Sequence, residues 1–198
     1  AQVVHWLAHS WGGVLAQACL VRYPDLATRV QSVTCFGTKR SISVWNPAKV
    51  IGVDLGLNRI GKVAAHLAGY LPARRLRFGS DDEPLAWYLD CIKWVNPRHP
   101  WVDPNDGFDY AAAARQGSLP RTLHLAGARD LYLGHPLDVE RFAAECAQPK
   151  SVVTLLAKSR GHRHDYGHIN MLTHPDAQVD HFPLVASWLA HGERQRST

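Results

Sequence analysis

Ala8-His9-Ser10-Trp11-Gly12 is the segment of this chain with the most chemical content. A serine that attacks a carbonyl carbon must be lifted clear of its neighbours. A sharp turn from strand into helix does this by holding the serine in a strained backbone conformation. Such a turn calls for small residues two positions to either side, and those positions hold Ala8 and Gly12, with Gly13 giving further room. Val3 to Leu7, just before, is a short β-rich apolar run. Val14 to Arg22, just after, has helical composition and is ended by Tyr23-Pro24. A helix beginning at Gly12 points its positive end at Ser10, which favours a developing oxyanion. The backbone N–H of Trp11 is then placed to donate to that oxyanion. A serine that only caps a helix is the competing reading of the same residues.

A nucleophilic serine needs a base to take its proton and a third group to orient that base. His162, His164 and His168 lie close together beside Asp165. Their spacing invites a metal reading, but the H-x-H-x-D-H pattern of zinc hydrolases has its Asp directly before the last His. Here Tyr166 and Gly167 intervene, so no metal is expected. A polar loop with Arg160 and Arg163 accounts for His162 and His164, whereas His168 follows a glycine and precedes apolar residues. Two aspartates compete for the orienting role: Asp130, which follows Gly127-Ala128-Arg129, and Asp138, expected to face solvent from a helix.

The elements that must position these side chains follow from hydrophobic patterning. Val30–Phe36, Arg121–Ala126 and Ser151–Leu156 read as further strands, Pro136–Ala147 as a helix with proline in its first turn, and Val179–Ala190 as a last helix. Strand, helix, strand, insertion, strand, helix, strand, helix predicts an α/β fold, a mostly parallel sheet with flanking helices. Residues 41–116 interrupt this order with many Gly, Pro and Trp, and are expected to form an inserted, mainly helical cap. The core is then 1–40 with 117–198. An insertion after the second strand emerges at the carboxyl ends of the strands, where Ser10 also sits, so the cap is expected over the mouth of the site. Trp45, Trp87, Trp94 and Trp101 fall within it, either to line an apolar acyl pocket or to hold a small domain together.

The Ser10 segment resembles the nucleophile elbow G-x-S-x-G of the α/β-hydrolase superfamily, with Ala8 in place of the first glycine. In that superfamily the triad follows in the order Ser, acid, His, with the acid after the strand beyond the cap and the His after the last strand. The resemblance implies Ser10 as nucleophile, Asp130 as the orienting acid, His168 as general base and Trp11 as one oxyanion donor. It covers the chain from the elbow onward. The superfamily's first four strands and first oxyanion loop have no counterpart, so the fold is expected truncated to its last four core strands. Val3–Leu7 then becomes a sheet edge, and the chain alone is expected to be a weak enzyme. The implied activity is hydrolysis of a small-molecule carboxylic ester or thioester of an apolar acyl group, with no cofactor. An acyltransferase using the same triad, or a non-catalytic module of this fold, are the alternatives.

Composition bounds these readings. Of 198 residues, 46% are apolar and 20% charged, which excludes a disordered or collagen-like chain. No apolar run reaches the ~18–20 residues of a membrane span. Cys19, Cys35, Cys91 and Cys146 are scattered, without a C-x-x-C pair, and read as free thiols of a reducing, cytoplasmic compartment. No initiator Met or signal peptide is visible, and a fragment is expected. The net charge of +5 is uneven. Lys39, Arg40, Lys49, Arg59, Lys62, Arg74, Arg75 and Arg77 face only Asp54 over that stretch. This is either a solvated basic surface or one that attracts anionic lipid or an acidic leaving group. No nucleic-acid motif accompanies it. Within it Val53, Leu57, Ile60, Ala64, Leu67 and Leu71 recur at helical spacing and are expected to form the buried face.

Overall fold

The computed structural model describes residues 4–76, 79, 81–117, 119–147 and 150–194; Val3 and Arg77 lie outside them. Four apolar segments form one sheet: β1 (Val4–His9), β2 (Val30–Phe36), β3 (Arg121–Gly127) and β4 (Ser151–Leu156). Their order is β1-β2-β3-β4, and each neighbouring pair is parallel. Parallel strands need long crossovers, which the helices supply. Helix α1 (Trp11–Arg22) joins β1 to β2. Helices α2 (Lys62–Ala68), α3 (Leu85–Val95) and α4 (Tyr110–Gln116) lie in the long connection to β3. Helix α5 (Pro136–Glu145) leads to β4, and α6 (Phe182–Arg194) follows it.

β2 and β3 have a neighbour on each side and are almost wholly buried, as expected of continuous apolar runs in a parallel sheet. Consecutive strand residues point to opposite faces, so Cys35 and Phe36 enter different cores. Phe36, Leu123, Leu125 and Leu156 pack with Tyr166, Met171 and the α6 residues Val185 and Trp188. Cys35, Val33 and Val30 pack with Leu20 of α1. The register sets His9 beside Phe36, Phe36 beside Leu125, and Gly127 beside Leu156. β1 and β2 therefore finish level with each other, and β3 and β4 run two residues further at the same end of the sheet. Among the described residues β1 pairs on one side only, and Leu7 and Val4 are exposed on it.

The chain divides into two compact units, residues 1–40 with 101–198, and residues 41–100. Residues 101–116, read from composition as part of the insertion, thus belong with the sheet. Trp101 is fully buried there, stacked on Tyr110 and edge-on to Phe142 of α5. Two of the basic residues counted as surface charge are also interior: Lys39 and Arg40 are nearly buried, and Arg40 Nε lies 2.7 Å from Glu145 Oε2.

In residues 41–100 a turn at Pro47–Lys49 runs into a π-helical segment, Val50–Gly61, and then into α2. Ala65, Leu71, Ala73 and Tyr88 form the core of this unit, with Leu57, Leu89 and Ile92 packed against it. The expected buried face is only partly found. Val53 and Leu71 are buried, but Ile60 and Leu67 are exposed. The cause is the π segment: its i→i+5 bonding widens the turn, so the inward stripe runs instead through Val53, Gly56, Gly61 and Ala65. No helix among the described residues is long and apolar enough to cross a membrane.

His124 in β3 is fully buried, with neither ring nitrogen hydrogen-bonded among the described residues, and the ring of Phe142 meets it edge-on. Burial pushes its pKa down to about 4. Below pH ~6.5 the unfolded chain takes up a proton at this site that the folded chain refuses, so stability falls as the pH drops from ~6.5 towards 4. The shift corresponds to about 3 kcal/mol. His124→Leu is expected to remove that slope, measured as a smaller gap between the urea midpoints at neutral and acid pH. A gap equal to that of the parent chain would show that His124 does not cause it.

Candidate active site

At the carboxyl end of β1 the chain turns into α1 through Ser10, which holds φ 53° and ψ −126°. For a residue with a Cβ this left-handed region costs about 1–3 kcal/mol and persists only where the surroundings impose it. Here the Ser10 N–H donates to the Phe36 carbonyl at 2.8 Å, and the Ser10 carbonyl accepts from Gly13 N–H at 3.1 Å. The tight place in the turn is Gly13 rather than Gly12. A Cβ at Gly12 would meet open space, whereas one at Gly13 would lie 2.1 Å from Thr38 Oγ1. The small residue thus lets α1 approach the loop after β2. The Trp11 amide stands at the N-terminus of α1, where the helix dipole places positive charge.

Ser10 Oγ lies 2.8 Å from His168 Nε2, and His168 Nδ1 lies 2.5 Å from Asp130 Oδ2. A carboxylate only accepts, so Nδ1 carries the proton and donates it to Asp130. The lone pair of Nε2 is thereby left to accept from the serine hydroxyl. The three side chains come from the ends of three strands. Asp130 follows β3 in a turn closed by its own N–H to the Gly127 carbonyl, and its side chain is buried. His168 sits in the connection after β4. That connection is tied to the Asp130 turn by Arg129 N–H donating to the Tyr166 carbonyl at 2.8 Å, and to the segment before α6 by buried Tyr166, whose hydroxyl donates to Asp180. Gly37, at φ 56°, lies against the imidazole: a Cβ there would be 3.0 Å from His168 Nδ1. The arrangement can accept the Ser10 proton on His168 and hold the resulting imidazolium beside an anion.

Solved structures align over nearly the whole of this chain. A hydrolase from Oleispira antarctica matches with a TM-score of 0.55 and 16% identity, covering 95% of this chain and 65% of its own. A monoacylglycerol lipase from Paleococcus ferrophilus matches at 0.55 and 12%, covering 96% and 69%. A thermophilic esterase from Thermogutta terrifontis matches at 0.52 and 16%, covering 96% and 65%. The chain has the α/β-hydrolase fold. It spans about two thirds of the length of those structures. No family model and no curated protein matches the sequence.

On this α/β-hydrolase fold the remaining candidates fall away from Ser10. His162 Nδ1 is 2.9 Å from Asp180 Oδ1, and His164 Nε2 is 2.6 Å from Asp176 Oδ2, so the three late histidines each have a different carboxylate. His164, His174 and Asp176 do bring ligand atoms within 4.8 Å of one another. His174 Nδ1 accepts from Asp176 N–H at 3.1 Å, and a cation bound there would compete with the contact of His164 Nε2 to Asp176 Oδ2. Asp138, expected to face solvent, is instead buried in the first turn of α5.

Two residues beside the site make contacts that the sequence does not foretell, and His9 is the first. His9 Nε2 donates to the His168 carbonyl at 2.9 Å, and the two rings lie 4.6 Å apart. Burial holds the pKa of His9 below the ordinary histidine value, outweighing the raising effect of that bond. His9 therefore braces the backbone of His168 without adding a second positive charge. Lys39 is the second: its ammonium lies 5.8 Å from the centre of the Trp11 ring.

Proposed function

We propose that this chain carries the catalytic groups of a serine hydrolase that cleaves a carboxylic ester of an apolar acyl group. The observation that supports it most is the continuous hydrogen-bonded chain from Ser10 Oγ through His168 to Asp130. In this reading Ser10 attacks the ester carbonyl while His168 Nε2 takes its proton, and Asp130 stabilises the imidazolium without itself becoming protonated. The oxyanion of the tetrahedral intermediate forms beside the N-terminus of α1, where the Trp11 N–H donates to it. His168 then returns the proton to the departing alcohol, leaving an acyl group on Ser10. Water, deprotonated by His168, attacks that acyl-enzyme and restores the serine. The strained Ser10 backbone and the solved esterase and lipase of the same fold support the same reading.

A fluorophosphonate probe tests it, because only an activated serine displaces the fluoride. Covalent labelling of the protein is expected, mapping to the peptide that contains Ser10 and absent from Ser10→Ala. Labelling that persists in Ser10→Ala would place the nucleophile elsewhere, and no labelling of the parent protein would favour a module that has kept the fold without the chemistry.

A further inference from the structure

The helical run from Pro47 to Ala68 has its apolar residues the wrong way round for a helix that only supports a domain. Its buried positions are mostly small: Val53, Gly56, Gly61 and Ala65. Leu57 packs inward with them and Ile60 is 49% exposed, but most of its other large apolar side chains point outward, with Ile51 66%, Leu55 47%, Val63 61% and Leu67 84% exposed. These four, with Arg59, recur every fourth residue through the π segment and α2 and so form one outer stripe. Trp45, just before the run, is 82% exposed. An amphipathic helix in water buries its large apolar face, and contiguous exposed apolar surface of this kind marks an interaction site.

The charges indicate what covers it. Lys49 and Asp54 pair with each other, Nζ to Oδ1 at 2.8 Å, which leaves Arg59 and Lys62 as the uncompensated full charges on the run among the described residues. Arg75, just beyond, is also exposed. A second copy meeting this face about a two-fold axis would bring like charges together around an apolar seam. A surface of anionic headgroups over an acyl interior matches both properties at once: apolar side chains enter the boundary while the basic ones stay among the phosphates.

We propose that the outer face of residues 47–68 docks this protein on an anionic lipid surface, with Ile51, Leu55, Val63 and Leu67 inserted and Arg59 and Lys62 at the headgroups. The proposal does not depend on the chemistry of Ser10. The test is co-sedimentation with vesicles of phosphatidylcholine alone and of phosphatidylcholine mixed with phosphatidylglycerol, at low and high salt. Binding to the anionic vesicles is expected to be at least about 10-fold tighter at low salt and to weaken as salt screens it. Val63→Gln with Leu67→Gln, and separately Arg59→Gln with Lys62→Gln, are expected to abolish most of that binding with an unchanged circular dichroism spectrum, since these side chains lie outside the buried core. Ser10→Ala is expected to bind as the parent does. Absence of sedimentation, equal binding to both vesicles, or binding indifferent to both double variants would each overturn the proposal. So would a concentration-dependent dimer lost in the Val63/Leu67 variant, which would assign the face to a second copy of the chain.

Discussion

Ser10→Ala is expected to lower kcat for ester hydrolysis by about 10⁴-fold or more, with KM nearly unchanged. The alanine removes the only atom that would bond to the acyl group, and it leaves His168 Nε2 without the hydroxyl that it faces at 2.8 Å. What survives is the pull of the α1 N-terminus on an oxyanion, which still accelerates attack by water. His168→Ala is expected to be as severe, because the hydroxyl then keeps its proton. The double variant should be no worse than either single one, since residues that act as a unit are not additive. His162→Ala and His164→Ala are expected to stay within several-fold of the parent, because their partners are Asp180 and Asp176 rather than Ser10. Steady-state rates on a p-nitrophenyl ester with a short acyl chain decide this. An equal loss from all three histidine variants, accompanied by sensitivity to chelators, would turn the reading towards a metal hydrolase.

The elements legible in the sequence are those whose signals are local. β2, β3 and β4 are short runs rich in apolar and β-branched residues, and the central pair, β2 and β3, is buried on both faces as a parallel sheet requires. The Ser10 turn declares itself because the strand before it, the helix after it and the small residues around it fall within a few positions. Even there the pattern points to Gly12 for the tight contact, while it is Gly13 that meets Thr38. Asp130 has no local signal and His168 only a weak one, a glycine before it and apolar residues after it, so a family's chain order is what singles both out. The brace from His9 to the His168 carbonyl joins positions 159 residues apart and has no sequence signal at all. Burial is misjudged where it depends on tertiary context. Lys39 and Arg40 look like surface charge until Glu145 and the Trp11 ring are brought up to them. The helical run of residues 47–68 misleads through its period, because a pattern counted at 3.6 residues per turn drifts off the true face of a π-helical stretch. The same drift conceals the outward apolar stripe of this run.

Asp130→Asn is the sharper test of the site, because it changes one atom and leaves the packing almost untouched. In the parent chain the buried carboxylate can only accept, and this fixes the His168 proton on Nδ1 across the 2.5 Å contact. An asparagine amide in the same place can donate to Nδ1, which moves the proton to Nε2. Nε2 would then face Ser10 Oγ with a hydrogen instead of a lone pair, and the imidazole could no longer take the serine proton. A loss of about 10⁴-fold in kcat is expected from this tautomer exchange, together with loss of the negative charge beside the imidazolium. Folding should be nearly unaffected, so urea midpoints of Asp130→Asn and the parent at neutral pH are expected to agree closely. Asp138→Asn alters an aspartate that is also buried but lies in α5. It should show the reverse pattern, a shifted urea midpoint with activity retained in the molecules that remain folded. If Asp130→Asn kept most of its activity while Asp138→Asn lost it, the orienting role would belong to Asp138, and the short contact between Asp130 and His168 would be a structural tie between two loops.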